Sequence, residues 1–282
     1  MTKTVKKFIG TCVLMATSMT ALAGMEEGKA AYAKKNYALA LKEFSPLAIG
    51  GSTGAENYLG VMYAEGQGVT QDHKEAVKWY RMAATQGDAA AQSNLGAMYL
   101  KGKGIAQDYK AAMKWYRLAA DQGNAAAQFI LGAMYANGQG FAQDDKEALK
   151  WYLLAADQGN VFAQTNLGVT YANGRGVAQN YKDAVSWYRL AAAQGDADAQ
   201  FNLGLMYNNG QGVATSKAVA YALYNLSATI DPSSDNRATA NRTALASELS
   251  PQMMNAAQTL TREMDKPGNV LKALDAHLKT WR

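Results

Sequence analysis

The chain repeats itself every 36 residues, and that period constrains its fold more than any other property. The stretch "YAEGQGVTQD" begins at Tyr63, "YLKGKGIAQD" at Tyr99, "YANGQGFAQD" at Tyr135 and "YANGRGVAQN" at Tyr171. A decayed copy, "YNNGQGVATS", begins at Tyr207. Leu-Gly pairs keep the same spacing at Leu59, Leu95, Leu131, Leu167 and Leu203. Trp-Tyr pairs do so at Trp79, Trp115, Trp151 and Trp187, and the fifth has become Leu223-Tyr224. Ala76, Ala112, Ala148, Ala184 and Ala220 complete the pattern. Such a period marks stacked units, each too small to bury its apolar face alone.

The glycine-rich stretch could cradle a phosphate or turn the chain. A phosphate loop would occur once, after a strand. This stretch recurs between helical patterns, and Lys101 and Lys103 of one copy are Glu65 and Gln67 in another. It reads as a turn. Glycine enters the left-handed region without a Cβ clash, so Gly102 is expected to end a helix and Gly104 to reverse the chain. Asp72, Asp108, Asp144 and Asn180 then fit as N-caps of the next helix. Glu75 and Glu147, three residues on, suit a capping box. A shorter turn, "QGD" or "QGN" at 86–88, 122–124, 158–160 and 194–196, separates the units. Each unit is thus read as two antiparallel helices. Ala91, Leu95 and Tyr99 share one face of the first helix. Gly96 and Ala112 permit close approach, and Trp115 offers a large partner surface. Met62, Met98, Met134 and Met206 keep the repeat spacing and read as core, not as metal ligands.

The first 23 residues differ from the rest. Lys3, Lys6 and Lys7 precede an uncharged, largely apolar run from Phe8 to Ala23, which closes on Ala21-Leu22-Ala23. That order predicts a secretory signal peptide cleaved before Gly24. An uncleaved anchor is the alternative, but the run is short for a span and carries Thr11, Thr17, Ser18 and Thr20. Removing it lowers the net charge from +5 to +2, so nucleic-acid binding is not implied. It also removes Cys12, the one cysteine, so the exported chain needs no disulfide. A periplasmic or secreted protein is expected, not an integral membrane protein after cleavage.

The stretch "AQSNLGAMYLKGKGIAQDYKAAMKWYRLAADQGN" resembles the Sel-one-like repeat, a relative of the tetratricopeptide repeat. The resemblance covers residues 52–228 as five repeats. Residues 24–51 look like a tetratricopeptide-type lead-in, because Ala40, Leu47 and Gly51 stand one period before Ala76, Ala83 and Gly87. Residues 229–282 depart from the repeat and read as a helical cap, with Ser250 as N-cap and Pro251 at the first helical position. The resemblance implies an all-α, right-handed α/α superhelix, a solenoid of 36-residue helix-turn-helix units. It also implies an adaptor or scaffold that binds a partner protein or peptide. Some relatives carry a cysteine pair in each repeat; this chain does not, so the functions of that branch are not carried over.

Signs of catalysis are weak. His73 and His277 lie on distant segments, and no Cys/His cluster suggests zinc. There is no G-x-S-x-G elbow, since the one stretch with that spacing, Gly50 to Gly54, follows no strand pattern, and S-x-x-K does not occur. Lys78, Arg81, Lys114 and Arg117 read as a solvated face whose stems lie on the aromatics. No cofactor, no metal and no enzymatic activity are expected. A peptidoglycan-associated accessory factor or hydrolase of the cell envelope is the alternative function.

Positions that vary between copies point to the partner surface. On a helix turning about 100° per residue, the side opposite the Ala91 stripe carries Ala90, Ser93, Ala97 and Leu100. In tetratricopeptide relatives that side lines the inner, concave groove. The residues expected to meet the partner are Asn57 and Val61, Ser93 and Leu100, Phe129, Phe162, Thr165 and Val169, and Asp198, Phe201 and Leu205. Phe129, Phe162 and Phe201 lie in consecutive units and outside the repeat consensus. Exposed aromatics of this kind mark interaction sites, whereas tight curvature of the stack would instead bury them.

Cleavage after Ala23 is directly measurable. N-terminal sequencing of the exported protein is expected to begin at Gly24, and a retained Lys3 would show an uncleaved segment.

Overall fold

A computed structural model describes residues 21–231 and 237–280. Among the described residues every regular element is a helix. The first 20 residues, which hold most of the expected signal peptide, lie outside them. Helix α1 occupies 21–33 and α2 is Tyr37–Ile49. The five repeats then supply first and second helices in turn: α3 (Thr53–Glu65) and α4 (His73–Thr85), α5 (Ala89–Lys101) and α6 (Tyr109–Asp121), α7 (Ala125–Asn137) and α8 (Asp145–Asp157), α9 (Val161–Asn173) and α10 (Tyr181–Ala193), α11 (Ala197–Asn209) and α12 (Lys217–Ile230). Helices α13 (Arg237–Ala246), α14 (Pro251–Met264) and α15 (Val270–Thr280) follow. The fold is an all-α repeat solenoid. Contacts group it into two compact units, one ending at Ala127 and the other beginning at Gln128.

Helix ends follow the turn chemistry. Gly102 has φ 65° and donates its N–H to Met98 O, closing α5; Gly104 is also left-handed, with φ 70°. Asp108 caps α6 by accepting the Ala111 N–H at 2.9 Å. The capping box is only half made. Asp72 accepts from Lys74 N and Glu75 N, but Glu75 does not return the bond and pairs with Lys78 at 2.6 Å. The reason is that the Asp72 N–H already donates to the Tyr63 carbonyl across the turn. Gln107 adds a further closure, donating from its side chain to the Leu100 carbonyl at 2.8 Å, as Gln71 does to Ala64 and Gln179 to Ala172.

Two glycine positions set how closely the helices approach. Within a repeat, the glycine of each Leu-Gly pair lies flat against the ring of the Trp-Tyr tyrosine. A Cβ at Gly168 would stand 2.3 Å from Tyr188, and at Gly60 2.5 Å from Tyr80. Between repeats, the second turn glycines Gly104, Gly176 and Gly212 sit on the backbone that starts the second helix of the preceding repeat. A Cβ at Gly104 would lie 2.2 Å from His73 O, and at Gly176 and Gly212 about as close to the carbonyls of Asp145 and Tyr181. The turn therefore does more than reverse the chain: it is the seat of one repeat on the last.

In the first unit α1 docks on α2, where Gly28 lies against the Phe44 ring, and Phe44, Leu59 and Met62 form the local core. Gly51, with φ 85°, ends α2 as Gly87 ends α4. In the second unit α13 packs on α12 as α11 packs on α10, but α14 turns away to pack on α12, and α15 lies on α14. An ion pair from Arg189 to Asp275, 2.6 Å, ties α10 to α15. Ser250 caps α14 and Pro251 opens it.

The glycine seats predict a graded outcome. Gly176→Ala adds a Cβ 2.5 Å from backbone at a left-handed residue and is expected to cost about 3 kcal/mol. Gly159→Ala, also left-handed but with nothing within 4 Å, is expected to cost only about 1 kcal/mol. Chemical denaturation of the two variants measures the difference.

Candidate functional site

The face of the first helices turned away from the repeat core is built unevenly. In the first unit Asn57, Val61, Ser93 and Leu100 are all half-buried. Asn57 accepts a hydrogen bond from Asn94 Nδ2 at 3.0 Å, which ties neighbouring first helices together. Val61 packs on the core of its own unit.

The second unit brings two of the expected phenylalanines together. The Phe129 and Phe162 rings lie 5.8 Å apart, and Phe129 also tilts against Tyr152 at 6.0 Å. Phe129 is half-buried, whereas Phe162 is 57% exposed. Val169 and Leu205 are half-buried against the core, and Asp198 is exposed. Two residues do not join the open face. Phe201 is buried, because Arg237 of α13 lies over its ring at 5.0 Å and Tyr224 tilts against it. Thr165 is buried too, with its hydroxyl 2.9 Å from the Asp196 carboxylate.

A ladder of glutamines, not anticipated from the sequence, orients this face. Gln122 at the end of α6 donates to Gln92 Oε1 on α5 at 2.7 Å. In the second unit Gln158 donates likewise to Gln128, and Gln194 to Gln164, each at 2.8 Å. Gln92, Gln164 and Gln200 in turn reach back to the carbonyls of Ala84, Ala156 and Ala192, which end the preceding second helix. Helices α5 and α9 are thereby each pinned to the helix before them and to the turn after them. The signal was present as glutamines recurring at 36-residue spacing. The ladder is modified at both ends. Gln86 donates to Glu56 Oε2 at 2.9 Å where other copies have glutamine. At the other end Gln200 Oε1 is buried without a donor, because the position of the partner glutamine is Ile230.

Electrostatic perturbation follows burial. Burial raises the pKa of Glu56 despite the bond from Gln86. Burial, then repulsion from Asp196 and Asp231, raises that of Asp198, and Arg237 partly offsets it. Burial pushes the Tyr152 phenol up to about 12, so this ring is a neutral packing group. Among the described residues no cluster of three or more His, Cys, Asp or Glu could hold a metal ion, and no helix is long and apolar enough to cross a membrane. His73 is half-buried and His277 lines a cleft of about 620 Å³ between the 213–218 turn and α14 and α15. A second apolar series stands on the second helices: Met82 and Leu118 in one unit, Leu154 and Leu190 in the other, all exposed. Leu226, next in the series, is buried where α13 and α14 pack on its helix.

The chain matches the Sel1 repeat family model at residues 53–88, 89–124, 125–160, 161–196 and 197–230. It is similar to the crystal structure of a Sel1 repeat protein from Oxalobacter formigenes, with 36% identity over 74% of this chain and 84% of that one, and a TM-score of 0.68. It also resembles a protective antigen with an SLR fold from uropathogenic Escherichia coli, at 26% identity over 91% of this chain and 70% of that one, TM-score 0.39. A third similar structure is the immunity protein Pa5087 of Pseudomonas aeruginosa, at 23% identity over 77% and 83% of the two chains, TM-score 0.47. No curated protein matches.

The acidic end of the ladder has a pH signature. A carboxyl whose folded pKa is raised binds its proton better in the folded state. Its contribution is therefore complete below the ordinary value of 4.5 and is lost as pH rises through the folded value. Glu56→Gln keeps the acceptor for Gln86 without the charge. It is expected to stabilise the protein by about 1 kcal/mol at neutral pH and by less near pH 4, in urea melts run at both.

Proposed function

The chain belongs to the Sel1 repeat family, whose helical solenoids generally serve as scaffolds for protein–protein interaction, and on that premise we propose that it is an exported adaptor holding a partner protein or peptide on the first-helix face. The observation that carries this reading is the Phe129–Phe162 pair. A phenylalanine more than half exposed on a rigid helix, resting on a second ring, is a preformed anchor for a partner side chain. Neither ring belongs to the repeat consensus. Glycine seats and the glutamine ladder hold the backbone beneath them, which lowers the ordering cost of binding.

Export is supported by the basic start, the apolar run and the Ala21-Leu22-Ala23 ending. Cleavage after Ala23 would leave Gly28 and its contact with Phe44 in the processed chain.

The test is crosslinking of the tagged, processed protein in its own cell envelope, followed by identification of what it captures. A defined partner is expected, and Phe162→Ala is expected to weaken its capture by about 2 kcal/mol with an unchanged melting temperature. Undiminished capture by Phe162→Ala would remove this face from the reading. Turnover of peptidoglycan or nitrocefin by the purified chain would replace the adaptor with an enzyme.

A further inference from the structure

The second unit covers two of its first-helix phenylalanines with its own side chains, in two different ways. Phe129 is overlain by the ring of Phe162. Phe201, at the same repeat position two repeats later, is overlain by the guanidinium of Arg237, 5.0 Å from its centroid. Phe162 has neither kind of cover on its outer face and remains 57% exposed. At the position that stands to Phe162 as Arg237 stands to Phe201, the following repeat has Asp198, which brings no cation.

The surroundings of Phe162 favour a cation. Thr165 lies one helical turn along α9, and its hydroxyl is 2.9 Å from the Asp196 carboxylate. That carboxylate is therefore held beside the turn that carries Phe162. Asp198 occupies on α11 the position that Phe162 occupies on α9, and it is exposed. Asp196 and Asp231 both repel the Asp198 charge, and Arg237 is the cation that offsets them. The Asp196 carboxylate also caps α11, accepting the Ala199 N–H at 2.7 Å, and Asp198 stands exposed two residues on. A cation laid on an aromatic face gains from the ring quadrupole, and gains more with a counter-ion alongside.

We propose that Phe162 is an arginine-stacking site: an arginine-bearing helical segment of the partner protein lays a guanidinium on the open Phe162 ring, with Asp196 and Asp198 as counter-charge. The contact is of the same chemical kind, a guanidinium over a phenyl ring, as that of Arg237 with Phe201 within the chain. Arginine fits better than lysine because its planar, weakly hydrated cation can stack flat and still donate to a carboxylate at its edge. This inference rests on the reading of the first-helix face as a docking surface, and it names the chemistry of the occupant.

The probe is a fluorescein-labelled, hydrocarbon-stapled peptide with the α13 sequence RATANRTALA, titrated into the full chain by fluorescence anisotropy. Saturable binding is expected, weaker by about tenfold when citrulline replaces the first arginine, since citrulline keeps the shape and loses the charge. A similar loss is expected for Phe162→Ala and for Phe162→Leu, which keeps apolar bulk without the ring, and added salt is expected to weaken binding. Circular dichroism melts of both variants report whether the fold is intact. An affinity unchanged by either Phe162 variant, or equal for the citrulline peptide, overturns the proposal. If capture of the partner in the cell envelope is lost in Phe162→Ala while the bound segment has no arginine, the stacking site fails and the docking face stands.

Discussion

The structure depends on backbone meeting backbone without a Cβ between them. Gly104, Gly176 and Gly212, second turn glycines of their repeats, rest on the carbonyls of His73, Asp145 and Tyr181, which open the second helix of the repeat before. No side chain, however small, fits there, and the residue must also be left-handed. The seat fixes the rise from one repeat to the next. Within each repeat the Leu-Gly glycine does the same for the helix pair by accepting a tyrosine ring against its Cα. With these two distances set, leucines, methionines and alanines of constant size fill the space between, and nearest-neighbour packing suffices to hold the stack.

Close seating leaves rotation of the first helices open, and the glutamine ladder settles it. Gln164 donates to a carbonyl behind it and accepts from Gln194 ahead of it, so α9 cannot roll without breaking one buried and one half-buried hydrogen bond. Buried amides left unpaired cost more than the net gain of making the bonds, which makes the ladder a device for orientation more than for stability. Phe162 owes its outward direction to that orientation. A variable residue on a repeat helix becomes a usable anchor because constant residues elsewhere hold its helix still.

Much of this was legible in the sequence, for a physical reason in each case. The 36-residue period, the left-handed glycines and the Asp and Asn caps depend on neighbours a few residues away, and local spacing displays them. The glutamines were just as regular, yet their partners stand 30 residues away or are main-chain carbonyls, which carry no sequence signature. The half-made capping box failed because the Asp72 N–H was already taken by Tyr63. Among the expected site residues, Phe129 and Phe162 meet, since they lie in consecutive repeats on one face. Phe201 was indistinguishable from them in sequence, but it lies in the last repeat. What covers it is Arg237, from a segment that no longer follows the pattern.

The end of the array therefore shapes the site as much as its middle does. Where a sixth repeat would begin, α13 still packs on α12 in the manner of a first helix, but Ile230 has replaced the glutamine that should have reached Gln200. Without that bond nothing obliges the next helix to continue the register, and α14 turns back onto α12 while α15 returns to α10 through Arg189 and Asp275. The same departure buries Leu226 and covers Phe201, closing both helix faces at the last repeat. The repeat before it keeps Phe162 and Leu190 open. Termination of the solenoid thus decides which repeats present a free surface, and it coincides with the replacement of one glutamine of the ladder by Ile230.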